Sequence, residues 1–290
     1  MKSTKYSTVN GLRMALEQRL NIAAQEKGMD IMRLRRQVAF DRFLARIFHT
    51  PRTDLIVKGG YTLELRMQRA RTTKDIDFSF VGNLEGAWAG SPDELKIFFQ
   101  DKLDIDLRDF FTFVIGDETL DLENAPYGGF RFPIEAKMGI RKFVAFSIDV
   151  AAGDCWFEPH ESASIHDWFG SAGIPTAKIP IISLEQQFAE KLHSYTRFRD
   201  YENSRVKDLL DMVLLINDNK MIPQRVLDIT EATFKKRDGA VFPPVFHVPP
   251  GNWKKKYIEY AKECGIEEDI MSAVEKVRSY CSAVGVLSEN

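Results

Sequence analysis

The stretch around Lys58 constrains the fold of this chain more than any other part of the sequence. Leu55–Val57 is an apolar, largely β-branched run too short for a helix, and Gly59 and Gly60 end it directly after the lysine. Thr62 then opens a stretch with apolar residues at helical spacing. The sequence therefore predicts a buried strand, a glycine turn and a helix start within one short segment.

This turn has the properties of a binding site for a phosphate chain. Glycine backbones allow a close approach that a Cβ would prevent. The first N–H groups of a helix are unpaired and carry partial positive charge, which favours an anion. We predict that Gly59 and Gly60 seat the phosphates, with the Lys58 ammonium and the Thr62 hydroxyl as additional contacts.

Asp75 and Asp77 lie two residues apart in the next strand-like segment, DIDFSF. In a strand this spacing places both carboxylates on one face, while Ile76 and Phe78 point to the other. Adjacent carboxylates repel unless a cation lies between them, and Mg²⁺ takes such oxygen ligands while keeping waters and substrate phosphates. An Asp pair at a solvent-facing sheet edge is the alternative. The strand, turn and helix start that precede the pair favour a metal site.

A third acid, Asp149, lies near the end of a strand predicted at Phe143–Val150 and shares a face with Ser147. On a strand beside the Asp pair it would be a further metal ligand, or the base that deprotonates an acceptor hydroxyl. A strand-end aspartate that meets solvent or caps the following turn fits the pattern equally well.

A lysine lies inside the apolar stripe of a later helix. Ser183 and Gln186 form a capping-box pattern that predicts the helix start. At about 100° per residue, Lys191 falls on the same face as Phe188 and Leu192. An ammonium there snorkels, finds a partner or lines a cleft, because an unpaired buried charge is costly.

The next predicted helix, over residues 205–216, carries two neighbouring carboxylates beside its apolar stripe, Asp208 and Asp211. Either Lys207 and Asp211 form an ordinary surface pair, or the acids accompany Lys191 of the preceding helix. The inward position of Lys191 favours the second interpretation, in which these helices form one wall of an active-site cleft.

Several segments, in order, resemble the AbiEii-type toxin nucleotidyltransferase family, which includes the mycobacterial MenT toxins. They span roughly residues 55–216 and read VKGGYTLELR, RTTKDIDF, SIDVAAGD, FAEKLHSYTRFR and RVKDLLDMVLL. The resemblance implies a polymerase-β-like nucleotidyltransferase with Mg²⁺ as cofactor and an NTP as co-substrate, encoded beside a cognate antitoxin. Characterised MenT members transfer NMPs, preferentially pyrimidines, to the 3′ end of tRNA, whereas other members are linked to GTP binding.

The resemblance also implies roles for single residues. It covers a phosphate motif, a metal-binding pair, an arginine and a hydroxyl ahead of that pair, and a lysine–aspartate motif in the second lobe. In that order the matching residues are Gly59, Gly60 and Thr62, then Asp75 and Asp77, then Arg71 and Thr73, then Lys191 and Asp208 with Asp211 in the same motif. Leu63 departs from the pattern, since many members have alanine after the hydroxyl residue.

We therefore expect a Mg²⁺-dependent toxin nucleotidyltransferase that moves an NMP from an NTP to an acceptor hydroxyl, with the tRNA 3′ end as the expected acceptor. A small-molecule nucleotidyltransferase of the antibiotic-modifying type would use the same phosphate and metal residues. A nucleotide-binding regulator without transferase chemistry is a third reading, and the intact acids and Lys191 count against it.

Composition is ordinary for a globular protein of 290 residues, with 44% apolar residues, 28% charged residues and a net charge of −2. No apolar run approaches the roughly 18 residues of a membrane span, and the N-terminus lacks the continuous apolar region of a secretory signal. Three scattered cysteines, Cys155, Cys264 and Cys281, lack metal-site spacing. We expect reduced thiols, a cytoplasmic location and no membrane partner.

Two basic clusters bear on RNA binding. The first comprises three arginines within Arg33–Arg36. The second, Lys254–Lys256, lies between Trp253 and Tyr257, and this pattern suits single-stranded RNA that stacks on aromatic rings. A solvated helix face with its aromatic residues docked on the core is the favoured interpretation of the second cluster.

The order of the elements predicts an α/β (α+β) fold, with a mixed sheet in the polymerase-β-like lobe and a helical C-terminal lobe. Two helices are expected over residues 8–49, a capped helix from Pro92 to about Leu103, and three successive strands after it. We predict a nucleotidyltransferase domain over residues 1–180 and a helical domain over residues 181–290, joined by residues 170–182, with a Pro- and Gly-rich loop at 238–252. The three strands are Phe111–Ile115, Phe130–Met138 and Phe143–Val150.

Overall fold

The structure, a computed structural model, describes residues 5–50, 54–67, 69–80, 91–121, 129–152, 156–198, 205–237 and 240–287. The helices are α1 (Val9–Lys27), α2 (Ile31–Ile47), α3 (Gly59–Arg66), α4 (Pro92–Leu103), α5 (Leu184–Thr196), α6 (Val206–Asp218), α7 (Pro223–Lys236), α8 (Trp253–Cys264) and α9 (Ile270–Ala283). The strands are β1 (Leu55–Lys58), β2 (Asp75–Phe80), β3 (Phe111–Ile115), β4 (Leu120–Asp121), β5 (Gly129–Met138), β6 (Arg141–Ala151), β7 (Glu161–Ser164) and β8 (Lys178–Ile181).

The chain divides into two compact units. The first comprises Met1–Leu65, Thr72–Gly153 and Ser162–Ile181, and the second comprises Arg66–Arg71, Asp154–Glu161 and Ile182–Asn290.

The sheet belongs largely to the first unit and has the strand order β3-β5-β6-β2-β1-β8-β7, with β4 also paired to β5. β2 runs antiparallel to β1 and parallel to β6, and β8 runs parallel to β1. β5 is antiparallel to both β3 and β6. The predicted mixed sheet is therefore confirmed, and its order places β1, β2 and β6 side by side.

The N-terminal helix α2 packs on one face of this sheet. Phe43 of α2 contacts Phe78 of β2 and Phe146 of β6, with ring centroids 6.3 and 5.6 Å apart. The predicted helical pair is confirmed, and Asp30 caps the N-terminus of α2, since its carboxylate accepts a hydrogen bond from the Arg33 amide. Because this face takes up the aromatic side chains, polar residues at alternate strand positions remain on the other face.

The second unit contains α5 to α9, and so the helical C-terminal segment is confirmed. Ser183 caps α5 by accepting a hydrogen bond from the Gln186 amide at 3.2 Å, as predicted. Residues 240–250 form neither helix nor strand, while 238–239 of the predicted loop lie outside the described residues. Cys281 is buried, which raises the pKa of its thiol to about 12 and keeps it protonated. Cys155 also lies outside the described residues.

The two basic clusters predicted from the sequence lie in different environments in the structure. Arg33 is buried against Glu64, with 3.2 Å between Nη2 and Oε2, and Arg35 pairs with Glu17. Arg33 and Arg35 are therefore paired with acids of α3 and α1. Lys254–Lys256 are exposed while Trp253 and Tyr257 are buried, which confirms the solvated helix face.

Two charged networks in the first unit have no counterpart in the sequence predictions. The fully buried Asp109 accepts hydrogen bonds from Arg42 and Arg46 at 2.6 and 2.7 Å. Burial alone would raise the pKa of Asp109, but the two guanidinium groups outweigh it, so the pKa is lowered and the carboxylate stays charged. Asp41 accepts a hydrogen bond from Tyr61 and lies 3.1 Å from His166 Nδ1. Within the described residues, no helix is long and apolar enough to cross a membrane.

Candidate active site

Four charged residues form a row across the polar face of the sheet. Lys58 of β1 pairs in register with Asp77 of β2, Asp77 with Asp149 of β6, and Asp149 with Arg131 of β5. Side chains at directly paired positions of neighbouring strands lie on the same face of a sheet. The prediction that Asp149 lies on a strand next to the Asp pair therefore matches this register.

The chain turns from β1 into α3 at Gly59 and Gly60, which are the first two residues of the helix, so the helix starts earlier than the start predicted at Thr62. Gly59 has φ +73°, in the left-handed region that favours glycine, and an added Cβ would lie only 1.7 Å from Asp77 Oδ2. The Thr62 hydroxyl donates a hydrogen bond to the Gly59 carbonyl at 2.8 Å, and the Thr62 side chain is buried. Thr62 therefore shapes the turn, and in this structure its hydroxyl faces the turn carbonyl.

A hydrogen bond from Thr73 fixes the orientation of the Asp75 side chain. The Thr73 hydroxyl donates a hydrogen bond to Asp75 Oδ1 at 3.0 Å, and the Thr73 amide donates one to Glu64 Oε1 at 2.7 Å. Burial raises the pKa of Glu64, although Arg33 and Gln37 oppose the increase by stabilising the carboxylate. Sequence reasoning missed Glu64, because it lies between two leucines of α3 and its partner Arg33 belongs to a different helix.

The carboxylate of Asp149 forms an ion pair with an arginine. Arg131 Nε and Nη2 donate to the two oxygens of Asp149, each at 2.6 Å, and Arg131 Nη2 also lies 3.5 Å from Asp75 Oδ2. Asp149 therefore pairs with an arginine on the same face of the sheet instead of meeting solvent, while residues 153–154 of the turn that it was expected to cap lie outside the described residues. The hydrogen bond to Asp149 raises the pKa of Arg131, which keeps the guanidinium charged.

The Asp75–Asp77 pair suits a divalent cation. Both side chains are partly exposed on one face, and the Asp77 carboxylate lies so close to Gly59 that a Cβ there would overlap it. Among the described residues no group of three or more His, Cys, Asp or Glu side chains could hold a metal. Two carboxylates fit Mg²⁺ nevertheless, because this ion is commonly held by one or two carboxylates plus waters and substrate phosphates.

The second unit contains a buried ionic cluster. Lys191 Nζ lies 2.6 Å from Asp211 Oδ2 and 3.5 Å from Asp208 Oδ1. Arg71 donates two hydrogen bonds to Asp211, at 2.9 and 2.7 Å. Burial alone would raise the pKa of Asp211. The positive charges of Lys191 and Arg71 lower the pKa by a larger amount, so the net shift is downward. Burial lowers the pKa of Lys191, but Asp211 and Asp208 outweigh it, so that the cluster stays ionised.

A family model described as "Nucleotidyl transferase AbiEii toxin, Type IV TA system" matches residues 42–270. The chain belongs to this family. AbiEii nucleotidyltransferases are enzymes of toxin–antitoxin systems, as the name of the family states. No curated protein matches the chain at a significant level.

Two solved structures are similar to this AbiEii-family protein along most of its length. JHP933 from Helicobacter pylori has 12% sequence identity and a TM-score of 0.44, and the alignment covers 88% of this chain and 92% of that one. A second protein, the "putative nucleotidyltransferase from H. pylori", has 10% identity and a TM-score of 0.44, with 86% and 93% covered. At these identities neither structure indicates a substrate for this chain.

The structure places the predicted site residues of this AbiEii-family protein in two groups. Arg71, which the family motif put together with Thr73, instead contacts Asp211, while Thr73 contacts Asp75. The first unit holds Lys58, Gly59, Gly60, Thr62, Thr73, Asp75, Asp77 and Asp149, and the second holds Arg71, Lys191, Asp208 and Asp211.

The interpretation of Lys207 and Asp211 as a surface pair is wrong. Asp211 is fully buried between Arg71 and Lys191. Lys207 is exposed, and its ammonium lies 5.5 Å from the centroid of the Tyr260 ring. The alternative interpretation, in which the acids of α6 accompany Lys191 of α5, agrees with these contacts.

Replacing Gly59 by alanine is expected to reduce nucleotidyl transfer about a hundredfold, because shifting a reacting group by about 1 Å has effects of that size. The added Cβ would overlap Asp77 Oδ2 and displace that carboxylate. Initial transfer rates of Gly59→Ala and Gly251→Ala provide the measurement, since a Cβ on Gly251 meets no atom within 4 Å. Equal rates in the two variants would show that the turn does not require glycine.

Proposed function

We propose that this AbiEii-family protein is a Mg²⁺-dependent toxin that transfers an NMP from an NTP to the 3′ hydroxyl of tRNA. The observation that carries the proposal is the Asp75–Asp77 pair, whose Asp77 carboxylate lies directly against Gly59, where any Cβ would overlap it. The family description supports the transferase and toxin parts of the proposal. The tRNA acceptor rests on the resemblance of the sequence motifs to the MenT toxins.

In the proposed reaction the acceptor oxygen attacks the α-phosphorus in line, forming a new P–O bond as the bond to the β-phosphate oxygen breaks. Pyrophosphate leaves, and the hydroxyl proton passes to a base. Mg²⁺ held by Asp75 and Asp77 would supply Lewis-acid stabilisation of charge on the phosphates. The N–H groups at the start of α3 would bind phosphate oxygens, with Lys58 at the end of β1 adding positive charge.

Supporting residues keep the reacting groups in place. Thr73 would fix the orientation of Asp75, and Thr62 would fix the turn through the Gly59 carbonyl. Lys191 and Asp208 match the lysine–aspartate motif of the family, and we propose that transfer requires this motif, in which Asp211 and Asp208 hold the Lys191 ammonium. Asp149, bound to Arg131, would orient that arginine.

The proposal includes two further parts that follow from the family. A toxin of a toxin–antitoxin system is restrained by a cognate antitoxin, which would be the protein partner. NTPs and tRNA meet in the cytoplasm, which would be the location of the reaction.

The experiment that tests the proposal uses the purified protein, Mg²⁺, total cellular RNA and each α-labelled NTP in turn. Label is expected in species of tRNA size with one NTP or a few, and removal of the metal with EDTA is expected to abolish it. Label in a protein or small-molecule fraction instead would identify a different acceptor. NTP binding without any pyrophosphate release would contradict transferase function and favour a nucleotide-binding regulator.

A further inference from the structure

Arg131 lies on the face of the sheet that carries the acids. It belongs to β5 and pairs in register with Asp149 of β6, which in turn pairs with Asp77 of β2. Its guanidinium binds both oxygens of Asp149 at 2.6 Å and reaches Asp75 Oδ2 at 3.5 Å. One arginine therefore spans two carboxylates, and one of these belongs to the proposed metal pair.

The local excess of negative charge explains why a positively charged arginine lies at this position. Asp75, Asp77 and Asp149 bring three negative charges to adjacent positions of two parallel strands. The Arg131 guanidinium binds both oxygens of the Asp149 carboxylate, and its positive charge also attracts the carboxylate of Asp75. A divalent ion held by Asp75 and Asp77 would compete with Arg131 for the Asp75 carboxylate, and the guanidinium charge would repel the ion.

The two contacts of Arg131 differ in strength. The contact with Asp149 is short and bidentate, and the Asp149 side chain is only 14% exposed. The contact with Asp75 is longer, and both side chains are about one-third exposed, at 34% and 36%. The contact with Asp75 can therefore be exchanged for another ligand while Asp149 keeps the arginine anchored.

We propose that Arg131 is a positioning residue that competes with the divalent cation for Asp75, so that the protein alone binds the cation weakly. The proposal rests on the proposed function in one respect, namely that Asp75 and Asp77 hold the metal. Without the cation, Arg131 is bound to Asp149 and also contacts Asp75. When the cation binds, the guanidinium gives up Asp75 and stays beside the site as a positive charge.

Mn²⁺ binding to the full chain, measured without nucleotide by the loss of the free-ion EPR signal, tests this competition. Arg131→Gln is expected to bind Mn²⁺ about tenfold more tightly than wild type, since a like charge is removed within a few ångströms of a ligand oxygen. Arg131→Lys keeps the charge and is expected to stay close to wild type. Lys137→Gln removes one positive charge from the same strand, where Lys137 pairs with Glu135, and is expected to change nothing.

The outcomes separate this inference from the proposed function. An increase in affinity with Arg131→Gln that disappears in Arg131→Gln/Asp75→Asn supports the competition. Equal or weaker binding in Arg131→Gln, including no detectable binding in either protein, overturns it. If the wild-type protein showed no metal-dependent transfer, that result would instead contradict the proposed function. The transfer assay includes nucleotide, so its result does not depend on how tightly the protein binds the cation without nucleotide.

Discussion

Replacing Asp77 by asparagine is expected to reduce nucleotidyl transfer about a thousandfold or more, because one of the two proposed metal ligands is lost. Asparagine has nearly the same shape, so that the register of β2 with Lys58 and Asp149 is retained. One of three neighbouring negative charges is also removed, which relieves repulsion in the folded protein. We therefore expect the loss of activity without a loss of stability.

The measurement is the initial rate of label transfer from the preferred NTP, with thermal unfolding followed by circular dichroism. Asp101→Asn is the matched control, since it makes the same change at an exposed position of α4. A folded Asp77→Asn protein that transfers NMP at the wild-type rate would rule out Asp77 as a metal ligand.

The second large effect concerns stability. Asp211→Ala is expected to lower the free energy of unfolding by about 3–5 kcal/mol, the usual cost of breaking a buried ion pair by removing one partner. Asp211 is fully buried, and without it Arg71 and Lys191 would remain as two like charges in a buried position. Folding would then have to desolvate both cations without a full counter-charge.

Urea-induced unfolding of Asp211→Ala and Asp208→Ala provides the comparison. Asp208 lies on the same helix, is 15% exposed and contacts Lys191 at 3.5 Å. Its removal is expected to cost about 1 kcal/mol or less, as for other weak and partly exposed pairs. Similar losses in the two variants would show that Asp211 has no special role in the cluster.

The sequence was sufficient for features set by local pattern. The strand and glycine turn before α3, the alternation of acidic and apolar residues along β2, and the capped start of α5 all depend on neighbouring residues. The mixed sheet followed from the order of the elements. Lys191 could be singled out because an ammonium in an apolar stripe requires a partner.

The remaining features depend on contacts between distant parts of the chain. Arg71 contacts Asp211 140 positions away, and a helical pattern alone put Asp211 beside the apolar stripe rather than in the core. Arg131 contacts Asp149 through the pairing of β5 with β6, whose register shifts at an irregularity between Ala136 and Lys137. No periodicity within a single segment specifies such partners.

The position of β8 has a consequence for synthesis of the chain on the ribosome. β1, which leads into the glycine turn, has β2 on one side and β8 on the other, and Val57 pairs with Ile181. Until residue 181 has left the exit tunnel, one edge of β1 has unpaired N–H and C=O groups. The nascent polypeptide therefore completes the sheet around β1 only after more than half of the protein has been translated, and the site proposed on this sheet remains incomplete for that time.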